Sequence, residues 1–189
     1  MRIELLDKGE LDTVLQAIAI THGQGMARHD LIQKVIELQH FSVLEHYFMT
    51  FLVGGISRVT SHQLVRHRIA SYSQRSQRYC DEGDQEFIAP PTITKKHYKT
   101  MESLVERSFA FYQKLVDDGI PKEDARYFLP QGTATDIIVT MNARELRHFF
   151  KLRLSKDAQW EIREMAQKML RICMAAASEL FEDIQVEEV

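Results

Sequence analysis

The chain has 189 residues, of which 44% are hydrophobic and 27% charged, and its net charge is −3 at pH 7. This composition excludes a collagen-like, low-complexity or disordered chain. No apolar run approaches the roughly 20 residues that span a bilayer, and the start of the chain lacks the features of a signal peptide. We therefore expect a single domain over residues 1–189 that works in the cytoplasm, without a membrane partner.

The first third of the chain predicts two helices and a strand. Apolar residues recur at helical spacing over Leu11–Ile20 and Leu31–Leu38, and Asp30 is a suitable N-cap for the second helix. The segment His46–Val53 is aromatic and β-branched, so it predicts a buried strand that stops at the Gly54-Gly55 pair.

The middle third predicts a short helix, an irregular segment and a long helix. The short helix covers Ser57–Val65 and is capped by its first residue. The following residues, Arg66–Tyr79, have no clean period and indicate a loop with extended pieces. A long helix over Ile93–Asp118 ends at Gly119, and Pro121 opens a short helix.

The last third predicts one strand and two helices. The β-rich segment Thr133–Met141 is expected to pair with the strand at His46–Val53, and Asn142 caps a helix that runs through Leu154. A final long helix is predicted over Asp157–Phe181. The fold class is therefore α+β: an antiparallel β-sheet core flanked by several helices, including long ones, in a single domain.

Charge is distributed unevenly along the chain. From His46 to Cys80 there is no Asp, Glu or Lys, whereas five arginines occur, namely Arg58, Arg66, Arg68, Arg75 and Arg78. Arginine without lysine predicts bidentate recognition of flat anionic or carbonyl-bearing groups. A nucleoside monophosphate or a flavin would present such groups. The composition alone leaves a solvated, arginine-rich turn equally open.

The arginine-rich segment resembles the signature of flavin-dependent thymidylate synthases, Arg-His-Arg, seven residues and then Ser, as Arg66-His67-Arg68 and Ser76. Upstream, His40–His46 is similar to the family's His-x-(Ser/Thr)-x-x-Glu-His segment. Downstream, three further segments recur in the family in the same order: Asn142–Leu146, Leu152-Arg153 and Ala158–Glu161. The resemblance covers about residues 40–163, which is most of the chain.

This resemblance implies an enzyme that converts dUMP to dTMP by reductive methylation. FAD is the implied cofactor, with NADPH as reductant and methylenetetrahydrofolate as carbon donor, and no protein cysteine acts as nucleophile. The resemblance also implies a homotetramer whose active sites are built from several subunits. Its partners would be further copies of itself and the small-molecule substrates, with no nucleic acid.

The resemblance also implies the residues of the site. Those expected to contact dUMP are Gln63, Leu64, Val65, Arg66, Gln74, Arg75, Ser76, Gln77, Arg78, Arg126 and Arg153. Those expected to contact FAD are His40, Ser42, Arg66, His67, Arg68, Gln74, Asn142, Ala143, Arg144 and His148. Arg153 is the expected catalytic residue, since its guanidinium would stabilise negative charge developing on the uracil ring. The chain departs from the family at Ser73-Gln74 and Gln77, where Asn-Glu and Gly are frequent.

Several residues have a second interpretation. Leu146, Phe149, Phe150 and Arg153 share one helix face, so the guanidinium of Arg153 either extends to solvent or faces an anion in a dry cleft. Cys80 follows several arginines, an environment that favours a thiolate and thus a cysteine mechanism. We expect no metal site, because no set of His, Cys and carboxylate residues has convincing ligand spacing.

Two other functions remain open from the residues. A nucleic-acid-binding module would use the arginines on phosphates, but it needs a larger basic surface. A helical interaction domain would bind no small ligand. The colour of the purified protein separates these alternatives, because a flavoprotein is yellow and the other two are colourless.

Overall fold

The computed structural model describes residues 1–23 and 30–186. Four strands form one antiparallel sheet in the order β1-β2-β4-β3, with the bounds β1 (Arg2–Lys8), β2 (Phe48–Ser57), β3 (Ala70–Gln74) and β4 (Ala134–Asn142). The described residues contain seven α-helices: α1 (Leu11–His22), α2 (Asp30–Glu37), α3 (Arg58–Leu64), α4 (Lys95–Asp117), α5 (Lys122–Ala125), α6 (Ala143–Arg153) and α7 (Trp160–Ala176). Short 3-10 segments occupy Phe41–His46, Arg126–Phe128 and Ser178–Leu180. The predicted α+β class with an antiparallel sheet is confirmed.

The core lies between one face of the sheet and four of the helices. Along the two central strands, β2 and β4, buried and exposed residues alternate, which is the pattern of strands with one buried face. Their inward side chains join apolar residues of α1, α2, α6 and α7 in one cluster of buried residues. Phe51 and Val139 are completely buried at its centre, paired across the two strands. The predicted pairing of these strands is confirmed.

The Gly54-Gly55 pair bends β2 rather than ending it, so the predicted end of this strand was wrong. The register shifts between Val53 and Ile56, and the strand continues to Ser57. Gly55 has a φ of 65°, and its amide donates to Oδ1 of Asp136 at 3.0 Å. A Cβ at Gly54 would lie 2.9 Å from the same oxygen. Both glycines therefore serve a bulge that side chains would obstruct.

Two strands were not predicted because their side chains carry a weak pattern. In β1 only Ile3 and Leu5 of the alternating positions face the core, and Leu6 interrupts the alternation. β3 falls inside the segment predicted as a loop with extended pieces, and its residues are mostly Ser and Gln. Its backbone nevertheless pairs with Ile137–Met141 of β4. Pairing with a neighbouring strand therefore decides the conformation of β3, because its own side chains favour no regular structure.

The predicted caps of α3 and α6 are confirmed. Ser57 Oγ accepts a hydrogen bond from the amide of Thr60 at 3.1 Å, and Asn142 Oδ1 accepts one from the amide of Glu145 at 2.8 Å. These helices begin at opposite ends of the paired strands β2 and β4, since Ser57 pairs with Ala134 and Asn142 with Phe48. Their C-terminal ends meet, and this junction forms the centre of the site described below.

The remaining helices differ from the predictions mainly at their ends. α2 begins at Asp30 itself, and α4 begins at Lys95 and is followed by Gly119 in a left-handed conformation, with a φ of 85°. α7 is shorter than predicted, because Oε1 of Gln159 accepts from the first helical amides and sets its start at Trp160. No helix among residues 1–23 and 30–186 is long and apolar enough to cross a membrane.

Candidate active site

The Arg-His-Arg segment, Arg66–Arg68, follows α3 and is held against the sheet by a tyrosine of β3. Tyr72 Oη lies 2.9 Å from the carbonyl oxygen of Leu64 and 2.7 Å from that of His67, so its single hydroxyl proton is shared between these two acceptors. His67 is only 4% exposed, whereas Arg66 and Arg68 on either side of it are exposed. The segment therefore presents two cations to solvent and inserts one imidazole into the protein.

His67 connects the beginning of α6 to its end. Its Nδ1 lies 3.0 Å from Oε1 of Glu145, which is 6% exposed, and its Nε2 accepts from Nε of Arg153 at 3.1 Å. Arg153 also donates from Nη2 to the carbonyl of Gln63 at 3.3 Å, at the end of α3. The guanidinium is therefore turned towards the Arg-His-Arg segment and is not extended into solvent.

The charge of Arg153 is not neutralised by these contacts. Both of its acceptors, an imidazole nitrogen and a backbone carbonyl, are uncharged when His67 is neutral. Burial lowers the pKa of Arg153 from its ordinary value, but a guanidinium stays protonated at neutral pH. Two of its five N–H groups are used internally, so the other three remain for an anionic or carbonyl-bearing ligand.

A buried carboxylate at the start of α7 fixes α3 in place. Glu161 is 2% exposed and accepts from three donors: the Ser57 amide at 2.7 Å, Ser57 Oγ at 2.5 Å and Thr60 Oγ1 at 2.7 Å. Because all three belong to Ser57–Thr60, the first turn of α3 is tied to α7. The position of Gln63, and with it the contact to Arg153, depends on this attachment.

The arginines near the start of α3 have intramolecular acceptors. Arg58 donates from Nη2 to the carbonyl of Arg75 at 2.8 Å. Arg75 donates from Nε to the fully buried Glu82 at 2.9 Å and from Nη2 to the carbonyl of Asp81 at 2.8 Å. Burial lowers the pKa of Arg75, but the hydrogen bond and the charge of Glu82 contribute to a net rise above its ordinary value. Arg58 and Arg75 thus serve the loop's own structure.

Arg78 and Arg126 form an exposed cluster around Glu123. Nε of Arg78 pairs with Oε2 of Glu123, and Nε of Arg126 donates to the Glu123 carbonyl at 3.0 Å. The guanidinium of Arg78 also lies 5.5 Å from the ring centre of Tyr79. Ser76 begins the turn that places Arg78, since its Oγ accepts from the Arg78 amide at 3.2 Å. We call Arg78, Glu123 and Arg126 the exposed arginine cluster.

A cavity of about 650 Å³ opens beside the Glu145 end of the site. Its lining combines apolar residues with cations and carboxylates: Gln39, Phe41, Glu45, Ile69, Asn142, Arg144, Glu145, Arg147, His148, Lys151 and Ile184. Arg144 pairs with Glu45 at 2.6 Å, and Arg147 pairs with Asp183 at 2.6 Å. The volume is that of a typical ligand site, and apolar walls with a cationic rim suit a ring system that carries phosphates.

The structure brings some of the predicted cofactor residues to this cavity and leaves others away from it. Asn142, Arg144 and His148 line it, and His67 contacts Glu145 of its wall. The ring of His40 is exposed and stacks near His22, with ring centres 6.5 Å apart. Seven predicted cofactor residues lie outside the lining: His40, Ser42, Arg66, His67, Arg68, Gln74 and Ala143. Of these, Ser42 borders a separate shallow depression and Ala143 is buried.

The predicted substrate residues divide in a similar way. Gln63 contacts Arg153, while Leu64 is buried in the core and Val65 is exposed. The amide of Gln74 donates to Ser61 Oγ at 2.9 Å, so this side chain is engaged in the protein. Gln77 is half-buried in the turn before Arg78. The cavity of about 650 Å³ is lined neither by Arg153 nor by a member of the exposed arginine cluster.

Three potential metal ligands meet in the site although their spacing in the sequence did not suggest it. Ligand atoms of His67, Glu145 and His148 lie within 4.8 Å of one another. Both ring nitrogens of His67 already have hydrogen-bond partners in Glu145 and Arg153. A metal ion would have to displace one of these bonds, so the arrangement favours a hydrogen-bonded chain over a metal centre.

The cysteines differ in their surroundings. Cys173 is completely buried in α7, and burial raises the pKa of its thiol far above neutrality, so it has no thiolate to offer. Cys80 is half-buried, and its amide donates to the carbonyl of Ser76 at 2.9 Å. Neither cysteine lies in the lining of the cavity.

Two important residues were missed by the sequence analysis as members of the site. Glu145 is the third residue of a helix capped by Asn142, a position where acidic residues are ordinary. Glu161 likewise stands in the first turn of α7. Their roles follow from contacts with distant residues: Glu145 contacts His67, and Glu161 contacts Ser57 and Thr60. A single sequence does not show such pairs.

The chain matches the family model described as "Thymidylate synthase complementing protein" over residues 4–178. It is 51% identical over 156 residues to a flavin-dependent thymidylate synthase of Geobacter sulfurreducens, covering 80% of this chain and 67% of that protein.

Two archaeal proteins with the same description are similar. The protein of Sulfurisphaera tokodaii is 54% identical over 133 residues, which cover 69% of this chain and 52% of the relative. The protein of Pyrococcus furiosus is 49% identical over 145 residues, which cover 74% of this chain and 59% of the relative. The matched part thus spans between about half and two thirds of the relatives' lengths.

Proposed function

We propose that this chain, which belongs to the family of flavin-dependent thymidylate synthases, converts dUMP to dTMP with a bound flavin. The observation that carries the proposal is the position of Arg153. Its guanidinium lies at the Arg-His-Arg segment, is fixed by two uncharged acceptors and retains three N–H groups for a ligand. The nucleotide of the proposed reaction has a base with carbonyl oxygens that match such a group.

The cavity beside Glu145 is the proposed flavin site. Phe41, Ile69 and Ile184 provide apolar surface for a flat ring, and Lys151 and Arg144 provide cations for a diphosphate. Asn142 adds a side-chain amide that can meet the polar edge of the ring. These residues fit FAD, and His67 links Glu145 of the cavity wall to Arg153.

The proposed role of Arg153 is electrostatic. A guanidinium cannot act as a base at neutral pH, but it can stabilise negative charge that develops on a uracil ring when C5 attacks an electrophile. Because Arg153 is positioned before the ligand binds, it needs little reorganisation during the reaction. The difficult chemistry belongs to the cofactor, since reduced flavin supplies the hydride that completes the methyl group.

The exposed arginine cluster is the proposed site for the phosphate of dUMP. Arg78 and Arg126 are both exposed, and the hydroxyl of Ser76 lies in the same turn as Arg78. A nucleotide phosphate accepts strong charge-assisted hydrogen bonds from such groups. In this proposal the phosphate displaces Glu123 from Arg78, so part of the binding energy is used to break an existing ion pair.

Assembly into a homotetramer would bring this cluster of one copy to Arg153 of another. α4 supports a self-associating surface, because only Tyr112 of its 23 residues is buried and Tyr98, Leu104 and Phe111 are exposed. Phe111 packs edge to face against the exposed Phe128, with 4.7 Å between ring centres, so the apolar surface extends beyond the helix. Apolar surface of this kind is typical of sites that contact another protein.

The remaining substrates follow from the proposed reaction. NADPH would reduce the flavin, and methylenetetrahydrofolate would supply the carbon. The chain has no Gly-x-Gly-x-x-Gly dinucleotide motif, so NADPH is expected to act without a Rossmann-type site.

Two measurements on the purified full chain test this function. The protein should be yellow, with flavin absorption bands that change when dUMP is added. Incubation with dUMP, methylenetetrahydrofolate and NADPH should then form dTMP. Colourless protein that binds no added FAD, or a flavoprotein that forms no dTMP, contradicts the proposal. Steep salt-dependent binding to oligonucleotides would instead favour the nucleic-acid alternative.

The proposed assembly has its own test. Four chains of 22.0 kDa have a mass of about 88 kDa, which light scattering on the eluting protein measures directly. A monomer mass under conditions in which dTMP forms would overturn the tetramer but not the chemistry.

A further inference from the structure

A continuous line of hydrogen bonds links a buried carboxylate to the guanidinium proposed for catalysis. Glu145 Oε1 lies 3.0 Å from Nδ1 of His67, and Nε2 of His67 lies 3.1 Å from Nε of Arg153. Both Glu145 and His67 are more than nine-tenths buried. The proposed function uses Arg153 but assigns no role to Glu145.

The direction of every proton in this line follows from chemistry. Arginine is always a donor, so Nε2 of His67 must be the acceptor and carries no proton. A neutral imidazole has one proton, which must therefore be on Nδ1 and be donated to Glu145. A carboxylate at Glu145 thus selects the one neutral form of His67 that can accept from Arg153.

We propose that Glu145 is a positioning residue that, through His67, fixes the rotational orientation of the Arg153 guanidinium. The inference rests on the proposed function, because the guanidinium is positioned for the uracil ring. With Nε bonded to His67 and Nη2 to the Gln63 carbonyl, the plane of the guanidinium is defined by two contacts. The three remaining N–H groups then point in fixed directions, which is how a preorganised donor lowers a barrier.

The protonation of His67 controls this line of contacts. An imidazolium has protons on both nitrogens and cannot accept from Arg153. Burial lowers the pKa of His67 below its usual range, the Glu145 hydrogen bond raises it, and the charges of Arg153 and His148 lower it. Tyr72 of β3 is also close to His67, but its hydroxyl donates to the backbone carbonyl of His67 and not to the imidazole. Burial raises the pKa of this tyrosine, so it stays uncharged. His67 is therefore neutral at physiological pH, and the line breaks as pH falls through its pKa.

The first test observes His67 directly and needs no turnover. Selective ¹⁵N labelling of the eight histidines, with His67→Gln to assign the signal, reports which ring nitrogen carries the proton. We expect the Nδ1–H form at pH 8 in the flavin-loaded protein. The Nε2–H form, or an imidazolium at that pH, would overturn the inference.

Titration of the same signal in two variants gives shifts of opposite sign. Glu145→Gln removes the charge that raises the pKa of His67, so this pKa should fall. Arg153→Ala removes a charge that lowers it, so the pKa should rise. Equal values in the wild type and both variants would show that the three groups are not coupled, and the inference would be lost.

Kinetics separate positioning from a purely structural role. We expect Glu145→Ala to reduce kcat by about 10- to 100-fold, the range known for removing the partner that orients a ligating histidine, with a smaller change in the KM for dUMP. Glu145→Gln can still accept from Nδ1, so it should recover part of the loss, and the acidic limb of its kcat profile should move to lower pH. If Glu145→Ala and Glu145→Gln lose the same fraction of kcat, and the acidic limb of the Glu145→Gln pH profile does not move, Glu145 is not a positioning residue.

Matched controls keep the outcome interpretable. Glu164→Gln removes a half-buried carboxylate that pairs with Lys168, and it should leave kcat and its pH profile unchanged. If Glu145→Ala does not fold, the tautomer of the wild type and the Glu145→Gln profile still decide the matter. Failure of the wild type to form dTMP would count against the proposed function, whereas normal dTMP synthesis with the Nε2–H form of His67 overturns only this inference.

Discussion

Arg153 and Arg78 occupy opposite kinds of environment in the same protein. Arg153 is half-buried and bonded to an imidazole nitrogen and a backbone carbonyl, both uncharged. Arg78 is exposed and paired with the carboxylate of Glu123. The first guanidinium is fixed and keeps its full charge available for a ligand. The second must leave its carboxylate before it can bind one.

This difference has an energetic meaning. A half-buried cation with uncharged acceptors costs some desolvation energy during folding, but no charged partner has to be displaced when an anion arrives. An exposed ion pair contributes little to stability, and exchange of its carboxylate for a phosphate is inexpensive. The buried type of arginine suits a catalytic step, in which small errors of position lower the rate, and the exposed type suits a binding step.

The largest expected effect comes from removing the buried arginine. Arg153→Ala should reduce kcat for dTMP formation by about 10²- to 10³-fold, the usual cost of losing one preorganised donor, while FAD remains bound. Arg171→Ala, which removes an exposed arginine of α7, is the matched control and should leave turnover unchanged. Near-normal turnover of Arg153→Ala would remove the basis for the comparison.

A smaller effect is expected at the exposed arginine cluster, where two substitutions should change dUMP affinity in opposite directions. Arg78→Ala should weaken dUMP binding by about 10- to 100-fold, as expected for the loss of a charge-assisted hydrogen bond. Glu123→Gln should tighten it by a few-fold, because Arg78 no longer has a carboxylate to leave. Calorimetric titration with dUMP measures both. Weaker binding by Glu123→Gln would mean that this carboxylate supports the ligand instead of competing with it.

The third prediction concerns the helix that lies between the two arginines. Glu161→Gln replaces an acceptor of three hydrogen bonds by an amide that can accept fewer, which should cost about 1–3 kcal/mol of the free energy of unfolding. The midpoint of thermal unfolding should fall by roughly 2–12 °C. Glu164→Gln, three residues along α7, should change stability by less than about 0.5 kcal/mol. Equal midpoints for the two variants would show that α3 is held by other contacts.

Substitution of Cys80 is expected to have no effect on turnover. Cys80→Ala should leave kcat unchanged within about two-fold, because the proposed charge stabilisation by Arg153 requires no protein nucleophile. Steady-state rates of dTMP formation measure this. A folded, flavin-loaded but inactive Cys80→Ala protein would restore the cysteine mechanism and shift the chemistry away from Arg153.

Local sequence signals predicted the helices and the central strands well. Ser57 and Asn142 are capping residues at the points where β2 and β4 end, and residues of high β-propensity mark both strands. These features depend on neighbours in the chain. The family assignment was also predictable, because Arg66-His67-Arg68 and Ser76 form a signature of fixed spacing, and the family comparison confirms it.

The parts that could not be predicted depend on contacts between distant residues. β3 is a strand because β4 is beside it, and the Gly54-Gly55 pair serves a bulge because Asp136 accepts from its backbone. The same holds for the site. Arg153 was predicted, but its partners could not be, because Glu145, His67 and Gln63 are related only by the packing of α3 against α6.

Arg153 contacts the end of α3 at the Gln63 carbonyl, whereas Arg58 at the start of α3 contacts the Arg75 carbonyl, three residues before Arg78. The helix between these contacts is about 10 Å long. If a complete centre takes one group from each of two copies, two inactive proteins can repair each other. Arg153→Ala and Arg78→Ala chains, unfolded and refolded as a mixture, would then form some centres with both arginines intact. The mixture would regain activity that neither variant has alone, whereas a site confined to one chain could not be restored in this way.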